Sequence, residues 1–487
     1  MSATQTNFVE LIPHEFARSH LVVSNGTDDG IERLIASNST LPWVLHNVSV
    51  KLGRPVVCER RSDEDVARFV DRVYEAVLRS NGAEEQVQGG EGSVNALLAE
   101  AERDLLTTDG KAPIVKLVDA ILFEALGSGA SDIHVQPLKD VALVRIRVDG
   151  VLHLVRELSS HVVASVVSRI KVMGQMDIAE RRIPQDGRAT VTIGDATGSG
   201  RAIDLRISSL PTAHGERIVI RLLDTDKGLA LADLESIGMP ADAQGVYRER
   251  VSRPNGIVLL TGPTGSGKTT TLYATLRWIA TRGGGDLNVM TIEDPIEYEL
   301  SEAGVAISQA QVNTKKGVTF ASGLRHVLRQ DPDVVMVGEI RDDETARVAI
   351  QASLTGHLVF STLHTNDAAS AVVRLIDLGV EPYLVASALS CVVAQRLVRK
   401  VHRDCAGRGC EACFWSGLRG RMGIFEMLAI DESMRGLISD NAPTATLRER
   451  ARRAGGASLL ESGRALIARG DTTEAEVARV TVDLGDA

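Results

Sequence analysis

The sequence predicts an α/β protein whose centre is a parallel β-sheet covered by helices on both faces. Three observations predict it. Four nearly continuous apolar segments, "GIVLLTG", "NVMTIED", "DVVMVGEI" and "HLVFSTLH", alternate with helical patterns between residues 256 and 364. Strands that are apolar throughout belong to sheets buried on both sides. The first segment opens through a glycine-rich turn directly into "KTTTLYATLRWIA", which has helical spacing. Composition is that of a globular chain, with 44% hydrophobic and 24% charged residues, which excludes disorder. Aromatics are only 3%, so Val, Leu, Ile and Ala must build the cores.

A length of 487 residues predicts about three domains, and composition shifts divide the chain further. Residues 1–80 read as a small α/β unit ending in the amphipathic stretch "DEDVARFVDRVYEAVL". Residues 81–112 form a polar, Gly-rich linker containing the helix-like "VNALLAEAERDLL". A second, smaller α/β domain spans 113–228. "PIVKLVDAILFEAL" has helical spacing there, and "VALVRIRVDGVLHLVREL" reads as two strands joined by a tight Asp-Gly turn. Residues 229–400 carry the central sheet, 401–420 a cysteine cluster, and 421–487 a helical extension. The last helix opens on Thr473 and Glu476, which have capping-box spacing.

No apolar run reaches the roughly 18 residues of a membrane span. The longest, "YLVASALSCVVA" from Tyr383 to Ala394, reads as a buried helix. The N-terminal "MSATQTNFVELIPHEF" lacks a basic-then-apolar signal pattern, so a soluble, cytoplasmic protein is expected. In that compartment thiols stay reduced, and a structural disulfide is the less favoured use of clustered cysteines. The net charge of −10 disfavours nucleic-acid binding as the main task, and no specific nucleic-acid partner is expected.

"GPTGSGKT", Gly262 to Thr269, fits the phosphate-binding pattern G-x-x-x-x-G-K-[ST] and lies between a strand and a helix, as that pattern requires. Its glycines let backbone amides turn around phosphate oxygens, and the helix N-terminus adds favourable partial charge. Gly262, Pro263, Thr264, Gly265, Ser266, Gly267, Lys268, Thr269 and Thr270 are the expected nucleotide-binding residues, with Lys268 on the β- and γ-phosphates and Thr269 on Mg²⁺. The motif in this context predicts a nucleoside triphosphatase. Glu339, closing "DPDVVMVGEIRD", is placed at the sheet's C-terminal edge to orient the attacking water. Glu293 in "TIEDPIEY" is expected to assist it or to share Mg²⁺. Asp294 and Glu297 lie in the same motif, although Asp294 is equally a turn residue before Pro295. His357 and His364 bracket one strand and suggest a γ-phosphate sensor. Arginines able to neutralise phosphoryl charge include Arg206, Arg217, Arg221, Arg325, Arg329 and Arg341, each equally readable as a surface ion-pair partner.

Four blocks occur together and in order: "GPTGSGKTTTLYATL", "TIEDPIEY", "LRQDPDVVMVGEIRD" and "GHLVFSTLHTNDA". They resemble the phosphate loop, aspartate box, Walker-B-type strand and histidine box of the secretion ATPase superfamily, which drives type II secretion and type IV pilus dynamics. The resemblance continues through "ASDIHVQP", "RIKVMGQMDIAERRIPQDGR", "SSLPTAHGERIVIRLL" and "AQRLVRK", covering roughly residues 112 to 487. Within the superfamily the chain looks most like the cytoplasmic ATPase of type II secretion, its "LIPHEFARSHLVV" being similar to that family's first, docking domain. The resemblance implies a P-loop (RecA-like) nucleotide-binding domain and a homo-hexamer that uses ATP and Mg²⁺ to drive pseudopilus assembly. It also implies docking of the N-terminal domain on the cytoplasmic part of a bitopic inner-membrane protein, contact with an inner-membrane platform protein, and hence peripheral recruitment to that membrane. Arg206 and Arg221 match arginines that approach the phosphates, and His364, Glu293, Glu339 and Lys268 fall on catalytic positions.

The family typically carries two C-x-x-C pairs in a small metal-binding subdomain. Here the second pair is Cys410-x-x-Cys413, and His402-x-x-Cys405 stands where the first should be. Imidazole and thiolates together suit a structural Zn²⁺ with no open coordination position. The counter-reading is that the shortened insertion has lost its metal and leaves idle thiols. Within the superfamily the alternative machine is type IV pilus assembly. Outside it stand a nucleic-acid translocase, opposed by the acidic balance, and a nucleotide-gated scaffold with negligible turnover.

Overall fold

The computed structural model describes residues 8–9, 11–12, 14–28, 31–52, 54–80, 111–194, 200–223, 234, 236–301 and 306–481. The expected linker helix at 94–106 lies outside the described residues. The chain divides into two compact units, Met1–Ser93 and Val94–Ala487.

In the first unit, α1 (His14–Ser19) leads to a three-stranded sheet of β1 (Val22–Asp28), β2 (Ile31–Ser37) and β3 (Val56–Arg61), interrupted by α2 (Pro42–Leu52) and followed by α3 (Asp63–Ser80). The pairing β1/β2 is antiparallel and β2/β3 parallel. Val66, Val70, Val73 and Tyr74 repeat at helical spacing along α3 and are buried against Leu34, Ile35 and Val48. The Tyr74 hydroxyl donates to the Ile12 carbonyl at 2.6 Å, satisfying the one polar atom that this burial would strand.

The second unit holds two sheets. The smaller begins after α4 (Lys111–Gly127). It contains β4 (Asp132–Pro137), β5 (Val141–Val148), β6 (Val151–Ser159), β7 (Gln185–Gly194), β8 (Gly200–Thr212) and β9 (Gly215–Leu223), with α5 (Ser160–Met173) between β6 and β7. Its order is β6-β5-β4-β9-β8-β7, antiparallel throughout. Alternation decides its faces. Ile133, Val135, Ile146, Ile207, Ile218 and Ile220 pack under α4 and α5, leaving the other face polar. Asp149 and Gly150, both at positive φ (49° and 84°), make the β5–β6 turn of the primed type that Asp-Gly favours.

The larger sheet follows α6 (Ala241–Val251). Its strands are β10 (Gly256–Thr261), β11 (Val289–Glu293), β12 (Ile307–Gln311), β13 (Val334–Val337), β14 (Leu358–Leu363), β15 (Leu389–Val401) and β16 (Leu418–Ala429). The order is β12-β11-β13-β14-β10-β15-β16, parallel except for the final β15/β16 pair. Residues of alternate parity face opposite cores. Val258, Leu260, Met336 and Phe360 pack on α6 and on α7 (Lys268–Arg282). Leu259, Val335, Val337 and Val359 pack towards α8 (Phe320–Val327), α9 (Asp343–Leu354), α10 (Ala368–Asp377) and α11 (Pro382–Ala388). The same core extends to the terminal helices α12 (Glu432–Ser439), α13 (Thr444–Arg453), α14 (Leu459–Ala468) and α15 (Glu474–Thr481).

Three expectations are corrected here. The apolar run 383–394 is not one helix: α11 ends at Ala388, and the chain continues as β15 alongside β10. The β-branched Val392 and Val393 suit the buried first part of that strand. The region 421–487 is not helical from its start, because β16 runs to Ala429 and helices begin at Glu432. Half of the last capping box forms. Thr473 Oγ1 accepts the Glu476 amide at 3.3 Å, but the Glu476 carboxylate accepts from Arg399 and Arg479 instead.

Candidate functional site

The C-terminal ends of β11, β13, β14 and β10, neighbours in that order, bring the expected site residues to one edge of the sheet. After Thr261 the chain turns at Gly262 (φ +147°) and enters α7 through Gly267 (φ +86°). Neither glycine has room for a side chain. An added Cβ would lie 2.5 Å from the Gln395 carbonyl oxygen at Gly262 and 2.7 Å from Gln395 Nε2 at Gly267. The loop is therefore pressed onto β15, and positive φ combined with this contact demands glycine. Lys268, buried in the first turn of α7, donates from Nζ to the carbonyls of Gly262 (2.6 Å) and Pro263 (3.1 Å). Burial, opposed by Glu339 and reinforced by Arg396, brings its ammonium down to about 8. Pro263, Thr264, Gly265 and Thr269 are exposed, Gly267 and Thr270 are half-buried, and Ser266 is buried.

Glu339 follows β13, where the Gly338 amide donates to Ile292 and the Ile340 amide to Thr362, so both flanking strands fix its backbone. Its carboxylate is mostly buried, with Arg341 Nη2 2.6 Å from Oε1 and His364 Nε2 3.3 Å from Oε2. Glu293 ends β11 and is buried. It accepts from the Tyr273 hydroxyl, from Thr291 Oγ1 at 2.6 Å and from Gln309 Nε2 at 3.0 Å. Both Glu293 oxygens are thus engaged by neutral protein donors, and the carboxylate ties α7 to β11 and β12. Asp294 is exposed; Glu339 chiefly, with a smaller contribution from Asp294, pushes the Arg341 guanidinium further up.

The two histidines part company. His364 reaches Glu339, but His357 lies at the opposite end of β14, where Nδ1 is 2.8 Å from the Ala352 carbonyl at the close of α9. The expectation of a histidine pair at the nucleotide is corrected for His357, because a strand places its two ends on opposite edges of the sheet. Among the arginines, Arg325 pairs with Glu344 at 2.7 Å, and Arg217 Nη2 lies 3.3 Å from His134 Nδ1. Arg206, on β8, donates to the Ile296 carbonyl at 3.4 Å in the loop after β11. Arg221 on β9 donates from Nε to Asp132 at 3.1 Å.

The cysteines form a second centre between β15 and β16. His402 Nδ1 lies 3.4 Å from Cys405 Sγ and 3.4 Å from Cys410 Sγ, while Cys413 Sγ is 4.0 Å and 3.7 Å from those two sulfurs. A zinc–sulfur bond of about 2.3 Å implies tetrahedral edges of about 3.8 Å between sulfurs, so the donor set fits that ion. His402 Nε2 sits 3.3 Å from Asp404 Oδ2, which leaves Nδ1 for the sulfurs. Burial raises the Cys413 thiol, but amide donors from Cys410 (3.1 Å) and Gly417 (3.3 Å), with the Cys410 and Cys405 thiols, pull it down to about 6. Gly417 (φ +72°) closes the loop, since a Cβ there would meet the Gly407 carbonyl at 2.2 Å.

Sequence reasoning assigned no role to Gln395, Arg396, Tyr273, Gln309 and Asp404. Gln395 and Arg396 are buried on β15, with Gln395 Oε1 accepting from Thr271 at 2.8 Å and Arg396 Nη2 donating to Asn366 at 2.8 Å. Their signal was present: two polar residues interrupting the apolar run from Cys391 to Val398.

The sequence profile described as "Type II/IV secretion system protein" matches residues 107–479. The chain is 43% identical to type II secretion system protein HxcR of Pseudomonas aeruginosa, over 98% of this chain and 100% of that one. It is 47% identical to the type II secretion system ATPase E of Vibrio cholerae, over 78% and 77% of the two chains. Among solved structures, the pilus retraction motor PilT with bound ADP matches with a TM-score of 0.51 and 26% identity, over 74% of this chain and 95% of that chain. With the profile matched across most of its length, this chain belongs to the type II/IV secretion system protein family.

Proposed function

We propose that this chain is the ATP-hydrolysing motor of a type II secretion system, acting as a homo-hexamer on the cytoplasmic face of the inner membrane. The observation that carries the reading is one sheet edge at which the Gly262–Thr269 loop, Lys268, Glu339 and His364 converge on the neighbouring strands β10, β14 and β13. Relatives named for type II secretion match nearly the whole chain, the N-terminal unit included. Residues 1–80 of that unit are assigned to docking on a bitopic inner-membrane protein, and the assembled ring to an inner-membrane platform protein. Among the described residues no helix is long and apolar enough to cross a membrane.

The mechanism follows from placement. Loop amides and the start of α7 would hold the β- and γ-phosphates, with Lys268 leaving its carbonyl partners for phosphate oxygens. Thr269, with Glu339, would hold Mg²⁺, which supplies charge neutralisation on those oxygens. Glu339 orients water in line with the γ-phosphorus. As the water oxygen bonds to that phosphorus and its proton passes to a phosphate oxygen, the bond to the β–γ bridging oxygen breaks, releasing ADP and phosphate. His364 steadies the Glu339 carboxylate. Arg206 and Arg221 approach the phosphates as charge accumulates. Glu293, whose oxygens accept from Tyr273, Thr291 and Gln309, is assigned to positioning α7. His402, Cys405, Cys410 and Cys413 are assigned a structural Zn²⁺ that clasps the β15–β16 connection.

Purified wild type should hydrolyse ATP in the presence of Mg²⁺, and Lys268→Ala or Glu339→Gln should lower kcat by about a hundredfold or more. Undiminished turnover in both variants would refute the assignment. Type IV pilus assembly is the second reading; the pilus retraction motor PilT shares the fold over 95% of its own chain, which is compatible with a pilus machine.

A further inference from the structure

The open face of the smaller sheet carries a row of like charges. Arg188 on β7 stands directly opposite Arg206 on β8, and Arg206 directly opposite Arg221 on β9. Asp132 on β4 ends the row as the partner of Arg221. The three guanidinium groups line one open cavity of about 640 Å³, together with Asp132 and Asp186. Like charges directly opposite across a sheet repel, so three in a row are retained at a cost in stability. Arg221 has Asp132 and Arg206 has Glu297 in its vicinity, but Arg188 is exposed and has no ion-pair partner among the described residues. The row also borders the loop after β11, through the Arg206 contact with Ile296.

We infer that Arg188 is a third phosphate-contacting arginine, completing with Arg206 and Arg221 one anion site for the triphosphate of the bound nucleotide. The inference rests on the ATPase reading, since that reading brings the phosphates to Arg206 and Arg221. Arg188 sits at the outer end of the row, where it meets the γ-phosphate as the nucleotide is enclosed. Its guanidinium then does work in the transition state that it cannot do in the free protein.

Thermal unfolding and turnover of the full chain, with the non-hydrolysable analogue AMP-PNP and Mg²⁺ as the probe, test this. Arg188→Gln should unfold at a slightly higher temperature than wild type without ligand, because a repulsion is relieved. Its AMP-PNP-induced stabilisation should shrink, and kcat should fall about tenfold. Arg188→Lys should recover part of both. A purely structural arginine would instead lower the ligand-free melting temperature and leave the AMP-PNP increment intact. An unchanged increment and kcat in Arg188→Gln, with Lys268→Ala losing both, would overturn the inference and leave the ATPase reading standing. Wild type and Lys268→Ala both unresponsive to AMP-PNP would overturn the two together.

Discussion

The Glu339 carboxylate lies 3.3 Å from His364 Nε2, so the ends of two adjacent parallel strands are joined at the sheet edge that carries Lys268. The contact is made while Arg341 holds the other oxygen. This two-sided grip fixes the carboxylate's plane, which is what a residue orienting water requires. His364→Ala should therefore lower kcat by one to two orders of magnitude with little change in KM, as expected for loss of positioning around an acid–base group. Steady-state kinetics decide it, and a rise in KM at constant kcat would reassign His364 to substrate binding.

The Lys268 ammonium gives the pH profile a basic limb. With the free-protein value down at about 8, the group is charged below that pH and neutral above it. Phosphate binding favours the charged form. In consequence kcat/KM, which reports the free enzyme, should fall about tenfold per pH unit above roughly pH 8. A profile flat to pH 10 would contradict the assignment.

A second titration belongs to the last helix. Glu476 is buried between Arg399 (2.6 Å) and Arg479 (2.9 Å), and these partners outweigh the cost of burial and hold its carboxyl down at about 2. A depressed carboxyl stabilises the fold fully above its unfolded value of about 4.3, and the contribution is lost as pH falls from about 5 towards 2. Urea unfolding should show Glu476→Gln less stable than wild type by roughly 2 kcal/mol at pH 7, with the gap about halved at pH 3 and closing only below about pH 2. A gap independent of pH would mean that packing, not charge, docks α15.

The His/Cys cluster predicts one tightly held zinc ion per chain. Metal analysis should find it in wild type and lose it in Cys413→Ser, whose sulfur receives two amide donors. Asp404→Asn should retain the ion with about ten- to hundredfold weaker affinity, because Asp404 only orients His402. Full-length protein purified without any metal, and unaffected by added Zn²⁺, would favour the idle-thiol reading.

Much of the larger sheet was legible because its chemistry is local. An apolar strand, a glycine turn and a helix starting at Lys268 follow one another in sequence, as do the strand and the Gly-Glu at Gly338 and Glu339. Three features were not legible, each for want of a long-range contact. The 383–394 run looks like a helix until β10 is available to pair with its second half. His357 and His364 look equivalent until the strand between them separates their edges. The tie from Glu293 to Tyr273, Thr291 and Gln309 is invisible until α7, β11 and β12 are packed together. Glycine demands at Gly262 and Gly267 were visible as motif, but their cause, the pressure of Gln395, lies more than a hundred residues away.

The most direct test of the motor assignment is made in the cell. The gene would be deleted and complemented with wild type or Lys268→Ala, and secreted proteins and surface pili measured in the same cultures. The account predicts that wild type restores export, that Lys268→Ala does not, and that pili are unaffected throughout. Restored export by Lys268→Ala, or loss of pili with export intact, would contradict it.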